Sequence, residues 1–170
     1  LISDKHPLGC GVLGRSGTPI ERWFMNEADR LIVIGASFSN HTGIAGYKSI
    51  IQIDFDPMSL GKFHSVETLV YGEIGRTMEL LHVAFPTEVA RPGMEEEVAE
   101  RWRIWREEKN SRLTDDYGNG INSASVFDSM NRLVQDDAII AVDVGNNTYS
   151  FGRYFESSGK QAVLMSGYLG

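Results

Sequence analysis

Apolar residues follow two rhythms along this chain. Short unbroken runs occur at Leu31-Ile32-Val33-Ile34, Ile50-Ile51-Gln52-Ile53, Thr68-Leu69-Val70-Tyr71, Ala138-Ile139-Ile140-Ala141-Val142 and Ala162-Val163-Leu164-Met165. Runs of β-branched and small apolar residues predict strands buried on both faces of a parallel sheet. Between them the spacing changes to that of one helical face: Ile20, Trp23, Phe24 and Ala28; Ile74, Met78, Leu81 and Phe85; Met94, Val98, Trp102 and Trp105; Val126, Phe127, Met130, Leu133 and Val134. Thr18, Pro19 and Glu21 form a capping-box pattern at the start of the first helix. Strands separated by crossovers of a dozen or so residues predict an α/β fold, with a Rossmann-like parallel sheet first and the beginning of a second α/β domain after it.

The strand ends carry the candidate chemistry. Asp143 closes the strand from Ala138 and gives way to Gly145-Asn146-Asn147, with a short helix expected over Thr148 to Phe155. Ligands of open α/β sheets sit beyond the carboxyl ends of strands, and a glycine lets a backbone approach an anion at a helix N-terminus. A phosphate-bearing cofactor and an ordinary polar turn both fit that pattern. Asp54 and Glu73 end two further strands, where a carboxylate accepts hydrogen bonds from ribose hydroxyls or an adenine amine, or serves only as a turn former. Gly9-Cys10-Gly11-Val12-Leu13-Gly14 has the letters of a dinucleotide fingerprint. That motif works only between a strand and a helix, and neither flanks it, so we read a glycine-rich loop.

Composition narrows the classes. The chain has 170 residues, 42% hydrophobic and 23% charged, with a net charge of −7. An acidic balance argues against nucleic acid and anionic membrane as partners. One cysteine, Cys10, excludes an internal disulfide; no run approaches the roughly 20 apolar residues of a membrane span, and a cytoplasmic setting is expected. The sequons at Asn40 and Asn146 are read as chance. The four histidines form no ligand spacing with Cys10 or each other, and neither a nucleophile elbow nor a P-loop occurs. The acid pairs Asp115-Asp116 and Asp136-Asp137 read as solvated turns. With no catalytic group of its own in evidence, the metal and catalytic assignments are none, and any chemistry falls to a cofactor. The segment from Met94 to Arg112 puts Glu95-Glu96-Glu97 first and arginines later, which complements a helix dipole; its narrow apolar stripe suits a connector lying on its own protein.

Taken together these segments resemble the thiamine-diphosphate enzymes of the acetohydroxyacid synthase and pyruvate oxidase family. The glycine-rich loop, Ala28 to Gly35, Gly35-Ala36-Ser37-Phe38 and Gln52 to Lys62 resemble the second half of that family's central domain. Asp143-Val144-Gly145-Asn146-Asn147 resembles the turn that meets the cofactor diphosphate, and Ser166-Gly167-Tyr168-Leu169-Gly170 the loop leading to the aminopyrimidine. The resemblance implies three segments: residues 1–86 from the central domain, 87–119 a linker with an amphipathic helix, and 120–170 the start of the diphosphate-binding domain. It implies Gly145, Asn146, Asn147, Gly167, Tyr168 and Leu169 as thiamine diphosphate contacts. For FAD or another nucleotide the candidates are Gly17, Thr18, Gly35, Asp54, Phe55 and Glu73. FAD stays open, because this chain has Ser37 and His41 where the synthases carry arginines that would hold a diphosphate.

The implied chemistry is decarboxylation of a small 2-oxo acid, with transfer of the resulting enamine to an acceptor. Similar enzymes hold the cofactor between two subunits, implying a homo-oligomer. The activating glutamate and the Gly-Asp-Gly…Asn segment that holds magnesium in the family are not in this sequence. Both ends read as cut, and no turnover is expected of this chain alone. The rival reading is a nucleotide-binding or regulatory α/β module without thiamine chemistry.

Overall fold

The structure is a computed structural model, and it describes residues 2–36, 42–85 and 92–166. The chain forms two compact units, one of Leu1–Trp23 with Pro92–Gly170 and one of Phe24–Arg91.

In the Phe24–Arg91 unit, strands β1 (Arg30–Ile34), β2 (Ser49–Asp54) and β3 (Thr68–Tyr71) form one parallel sheet in that order. Register runs from Arg30 opposite Ser49 to Ile34 opposite Ile53, and from Ile51 opposite Thr68 to Asp54 opposite Tyr71. The strand beginnings are tied by Arg30, whose guanidinium donates to Ser49 Oγ at 3.0 Å and pairs with Glu67 at 3.1 Å. Lys48 Nζ donates to the Asn26 and Ala28 carbonyls, satisfying groups at the end of the preceding helix that have no partner within it.

Only the central strand has the burial its apolar run predicted. Ile50, Gln52, Ile53 and Asp54 are buried. β1 instead alternates, with Ile32 62% exposed, because one of its faces lies uncovered. Gln52 is the unexpected core residue of this unit. Its Nε2 donates to the Ser59 carbonyl at 3.1 Å and its Oε1 accepts from the Gly61 N–H at 2.8 Å. Both ends of the buried amide are thereby satisfied, and the turn after β2 is fixed. Helix α2 (Ile74–Ala84) follows β3, presenting half-buried Ile74, Met78 and Leu81, while Phe85 is exposed at its end. Helix α1 (Pro19–Glu27) spans the boundary of the two units.

The other unit is organised around α3 (Met94–Ser111), which buries Val98, Trp102 and Trp105. Trp102 Nε1 donates to the Gly9 carbonyl at 2.7 Å, and Trp105 Nε1 to the Arg153 carbonyl at 3.3 Å. The stripe read from sequence therefore docks on the chain's own glycine-rich loop and on its C-terminal part. A 3-10 turn (Arg112–Thr114) leads on to α4 (Ser123–Leu133), β4 (Ile139–Val142), α5 (Asn146–Tyr154) and β5 (Ala162–Met165). Asn122 caps α4 by accepting the Ser125 N–H at 2.8 Å. β4 and β5 pair in parallel, from Ile139 opposite Ala162 to Val142 opposite Met165. Phe127, Val142, Phe151 and Phe155 form the core between α4, α5 and this sheet. Ile139, expected to be buried, is 77% exposed, since the described sheet has two strands and half of β4 lies outside its cover.

The N-terminal loop closes onto this unit. The Asp4 N–H donates to the Ser157 carbonyl at 2.9 Å, and the Ser157 N–H donates back to Asp4 Oδ2 at 2.7 Å. Glu156 beside it receives Arg106 at 2.7 Å and also Lys109. Burial opposes ionisation of Glu156, but those two hydrogen bonds outweigh it and hold the carboxyl below its ordinary range.

Candidate functional site

The turn after β4 is built from its own backbone. The strand stops at Val142, and Asp143 folds back so that its Oδ1 accepts the Val144 N–H at 2.7 Å. Its carbonyl accepts from Thr148 Oγ1 at 2.5 Å and from Asn147 Nδ2 at 3.3 Å. Helix α5 starts at Asn146, two residues earlier than its sequence suggested, so Asn146 and Asn147 occupy its first turn. Gly145 precedes it at φ 137°, a conformation side chains rarely adopt. A Cβ there would lie 2.8 Å from Asn147 Oδ1. No side chain caps α5, and all of Asp143 to Asn147 is exposed. The Thr148 N–H donates to the Gly145 carbonyl at 3.1 Å, while the Asn146 and Asn147 N–H groups have no acceptor among the described residues, at the end where the peptide dipole is positive. That combination of glycine approach, open N–H donors and two side-chain amides suits an anionic group such as a diphosphate.

Sequence reasoning named Gly145, Asn146 and Asn147 here, and the structure brings them together. It passed over Thr148, whose hydroxyl pins the turn; a threonine in the first turn of a helix is a capping signal that could have marked it. Gly167, Tyr168 and Leu169 lie outside the described residues.

A second row of candidates lines the carboxyl edge of the three-stranded sheet. The Gly35 N–H donates to the Ile53 carbonyl at 3.0 Å and the Gly72 N–H to the Asp54 carbonyl at 3.0 Å, so Gly35, Asp54 and Glu73 follow adjacent strands at one edge. Gly35 has φ 59°, and a Cβ on it would lie 2.7 Å from Ile74 Cδ1. Phe55 is exposed beside this row. Both carboxylates already have local work. Asp54 Oδ1 accepts the Asp56 N–H at 2.9 Å. Glu73 caps α2 by accepting the Arg76 and Gly75 N–H groups at 2.6 and 3.0 Å, and those bonds hold its carboxyl below the ordinary range. A carboxylate has about four acceptor positions, so Glu73, which is exposed, retains capacity for a ligand hydroxyl.

Gly17 and Thr18 belong to the other compact unit. The Gly17 N–H is taken by the Gly14 carbonyl at 2.9 Å, and Thr18 Oγ1 donates to the Cys10 carbonyl at 2.6 Å while accepting the Glu21 N–H at 3.4 Å. The reciprocal half of the expected capping box is missing, because the Thr18 N–H goes to the Val12 carbonyl instead. The glycine-rich segment from Gly9 to Gly14 forms neither strand nor helix, and so lacks the strand a dinucleotide fingerprint requires.

Burial governs the titratable groups of this loop. Burial chiefly, reinforced by the charges of Glu21 and Asp4, pushes the Cys10 thiol up to about 11. Burial likewise raises the Glu21 carboxyl to about 7 against weaker opposing effects of a Gly14 hydrogen bond and Arg22. Among the described residues no group of three or more His, Cys, Asp or Glu could hold a metal, and no helix is long and apolar enough to cross a membrane.

Residues 1–81 match the family described as "Thiamine pyrophosphate enzyme, central domain". The chain is similar to the "Probable acetolactate synthase large subunit" of Methanococcus aeolicus, 29% identical over 99% of this chain and 31% of that protein. It is 25% identical to acetolactate synthase isozyme 3 large subunit of Escherichia coli (strain K12), over 97% of this chain and 30% of the relative. It is 21% identical to the pyruvate oxidase of Lactiplantibacillus plantarum, over 92% of this chain and 26% of the relative. The chain thus spans about three tenths of the length of the curated relatives it matches.

Proposed function

We infer that this chain belongs to the thiamine pyrophosphate enzymes, on its match to that family's central domain and its similarity to acetolactate synthase large subunits, and that it supplies the diphosphate-facing turn of a thiamine diphosphate site. The parent enzyme acts on a small 2-oxo acid such as pyruvate, removing its carboxylate and passing the remaining carbons to an acceptor, in the manner of an acetolactate synthase or a pyruvate oxidase. Gly145, at φ 137° ahead of an uncapped helix, carries this reading. The Asn146 and Asn147 N–H groups and amides would hold the diphosphate, and Thr148 would keep the turn in shape. The cofactor supplies the carbanion chemistry that the side chains of this chain do not. We assign magnesium, the remaining cofactor contacts and the homo-oligomeric assembly to the complete protein, and place that protein in the cytoplasm.

The strand-end row of Gly35, Asp54, Phe55 and Glu73 supports a nucleoside portion more than a diphosphate, since carboxylates there can accept from hydroxyl and amine donors. FAD belongs to the proposal on that basis.

Calorimetric titration of the chain with thiamine diphosphate and magnesium, and separately with FAD, tests both parts. Saturable binding of thiamine diphosphate is expected, and Gly145→Val should weaken it by about tenfold or more while the fold persists. Binding unaffected by that substitution would remove the turn from the cofactor site. The chain alone should not turn over pyruvate.

A further inference from the structure

Two cavities of the unit formed by Leu1–Trp23 and Pro92–Gly170 share a pair of arginines. A smaller one, about 190 Å³, is lined by Thr18, Arg22, Trp105, Glu108, Arg112 and Arg153. A larger one, about 420 Å³, also contacts Arg112 and Arg153 and reaches Tyr117 and Tyr149. The smaller cavity is thus lined by three arginines and a single acidic residue in a chain whose net charge is −7.

The three arginines are not equivalent. Arg112 is fixed: Nη1 donates to Tyr154 Oη at 2.8 Å and Nη2 to Glu108, which spends the one carboxylate of the cavity. Among the described residues the Arg22 and Arg153 side chains donate no hydrogen bond and enter no ion pair, though Arg22 feels the charge of its neighbour Glu21. Arg153 is held at its backbone, where its carbonyl accepts Trp105 Nε1 at 3.3 Å. Arg22 and Arg153 line the same cavity as the pre-oriented Arg112, and like charges sharing a cavity favour the entry of a counter-charge. A planar or tetrahedral oxyanion can bridge them with paired N–H···O bonds.

We propose that Arg22, Arg112 and Arg153 form a binding site for a small oxyanion, of phosphate or carboxylate type. The site is distinct from the cofactor turn. Gly145 and Arg153 lie at opposite ends of α5, separated by about 12 Å along the helix axis. The buried Trp105 indole in the cavity wall provides an optical report of occupancy.

The test is calorimetry and tryptophan fluorescence of the chain, titrated in a chloride buffer with inorganic pyrophosphate and, separately, with malonate. Saturable binding of at least one is expected. It should fall about tenfold or more in Arg22→Gln/Arg153→Gln and stay within about twofold in Lys160→Gln, which removes an exposed cation that lines neither cavity. Pyrophosphate alone would assign a phosphate ligand and malonate alone a carboxylate. Both altered arginines are exposed, so thermal unfolding of the double variant should match the parent and exclude loss by misfolding. No saturation by either anion overturns the proposal. So does binding that is lost in Asn146→Ala/Asn147→Ala and kept in the arginine variant, an outcome that would place the anion at the cofactor turn instead.

Discussion

Trp102 Nε1 and the Gly9 carbonyl meet at 2.7 Å, joining positions 93 residues apart and locking α3 onto the glycine-rich loop. Trp102 is buried, so phenylalanine at this position would keep most of the packing yet leave the carbonyl without its donor. Trp102→Phe should cost about 1–2 kcal/mol of unfolding free energy. Trp102→Ala, which also opens a cavity, should cost about 3–5 kcal/mol. Urea unfolding of the two variants separates the contributions; no loss in Trp102→Phe would mean that the hydrogen bond contributes nothing.

Glu156 gathers Arg106 and Lys109 from α3 beside the Asp4–Ser157 contact. Its carboxyl titrates below the ordinary glutamate value in the folded chain. The resulting stability is present above the unfolded-state value and is lost as pH falls through the folded one. Glu156→Gln should therefore destabilise by about 1–2 kcal/mol at neutral pH, a figure discounted for the half-exposed Arg106. The gap should close in acid, and melting temperatures between pH 3 and pH 7, a range spanning roughly the glutamate values, would reveal it. A constant gap would contradict the ion-pair account.

Glu21 shows the opposite sign. Its Oε2 is buried without a hydrogen-bond partner among the described residues, and burial lifts the carboxyl to about 7 from 4.5. A raised value favours the protonated fold, so stability is full below 4.5 and is lost as pH rises through about 7. Glu21→Gln should gain on the order of 1 kcal/mol at pH 8, after allowance for partial exposure, and nothing near pH 4. Thermal melts at the two pH values check it, and a gain independent of pH would refute it.

The Cys10 thiol, pushed up to about 11, holds little thiolate at neutral pH. It should react with a disulfide reagent at pH 7.5 at least about tenfold more slowly than an unperturbed thiol of ordinary pKa. Reaction at the rate of a free thiol would show that the loop opens readily.

Thr148 Oγ1 and Asn147 Nδ2 both donate to the Asp143 carbonyl. Thr148→Val removes the first bond at nearly constant volume. It should lower stability by about 1 kcal/mol and weaken thiamine diphosphate binding several-fold. Unchanged affinity in calorimetry would show that Asn147 alone holds the turn.

Local pattern was enough for the elements and for their order. The runs at Ile50–Asp54 and Thr68–Tyr71 became β2 and β3, and the stripe of Val98, Trp102 and Trp105 became the buried face of α3, because side-chain period fixes which residues share a face. The chain order also marked Gly145-Asn146-Asn147, since a glycine between a strand and a helix is a local signal. Tertiary structure decided what lies far apart in sequence. It set the exposure of Ile32 and Ile139, which depends on what covers each sheet face rather than on the run that forms the strand. It made Gln52 a core residue, because only the return of the Ser59–Gly61 turn gives that amide its partners. It also brought Arg22, Arg112 and Arg153 around one cavity, from three elements whose spacing in the sequence carries no trace of that meeting.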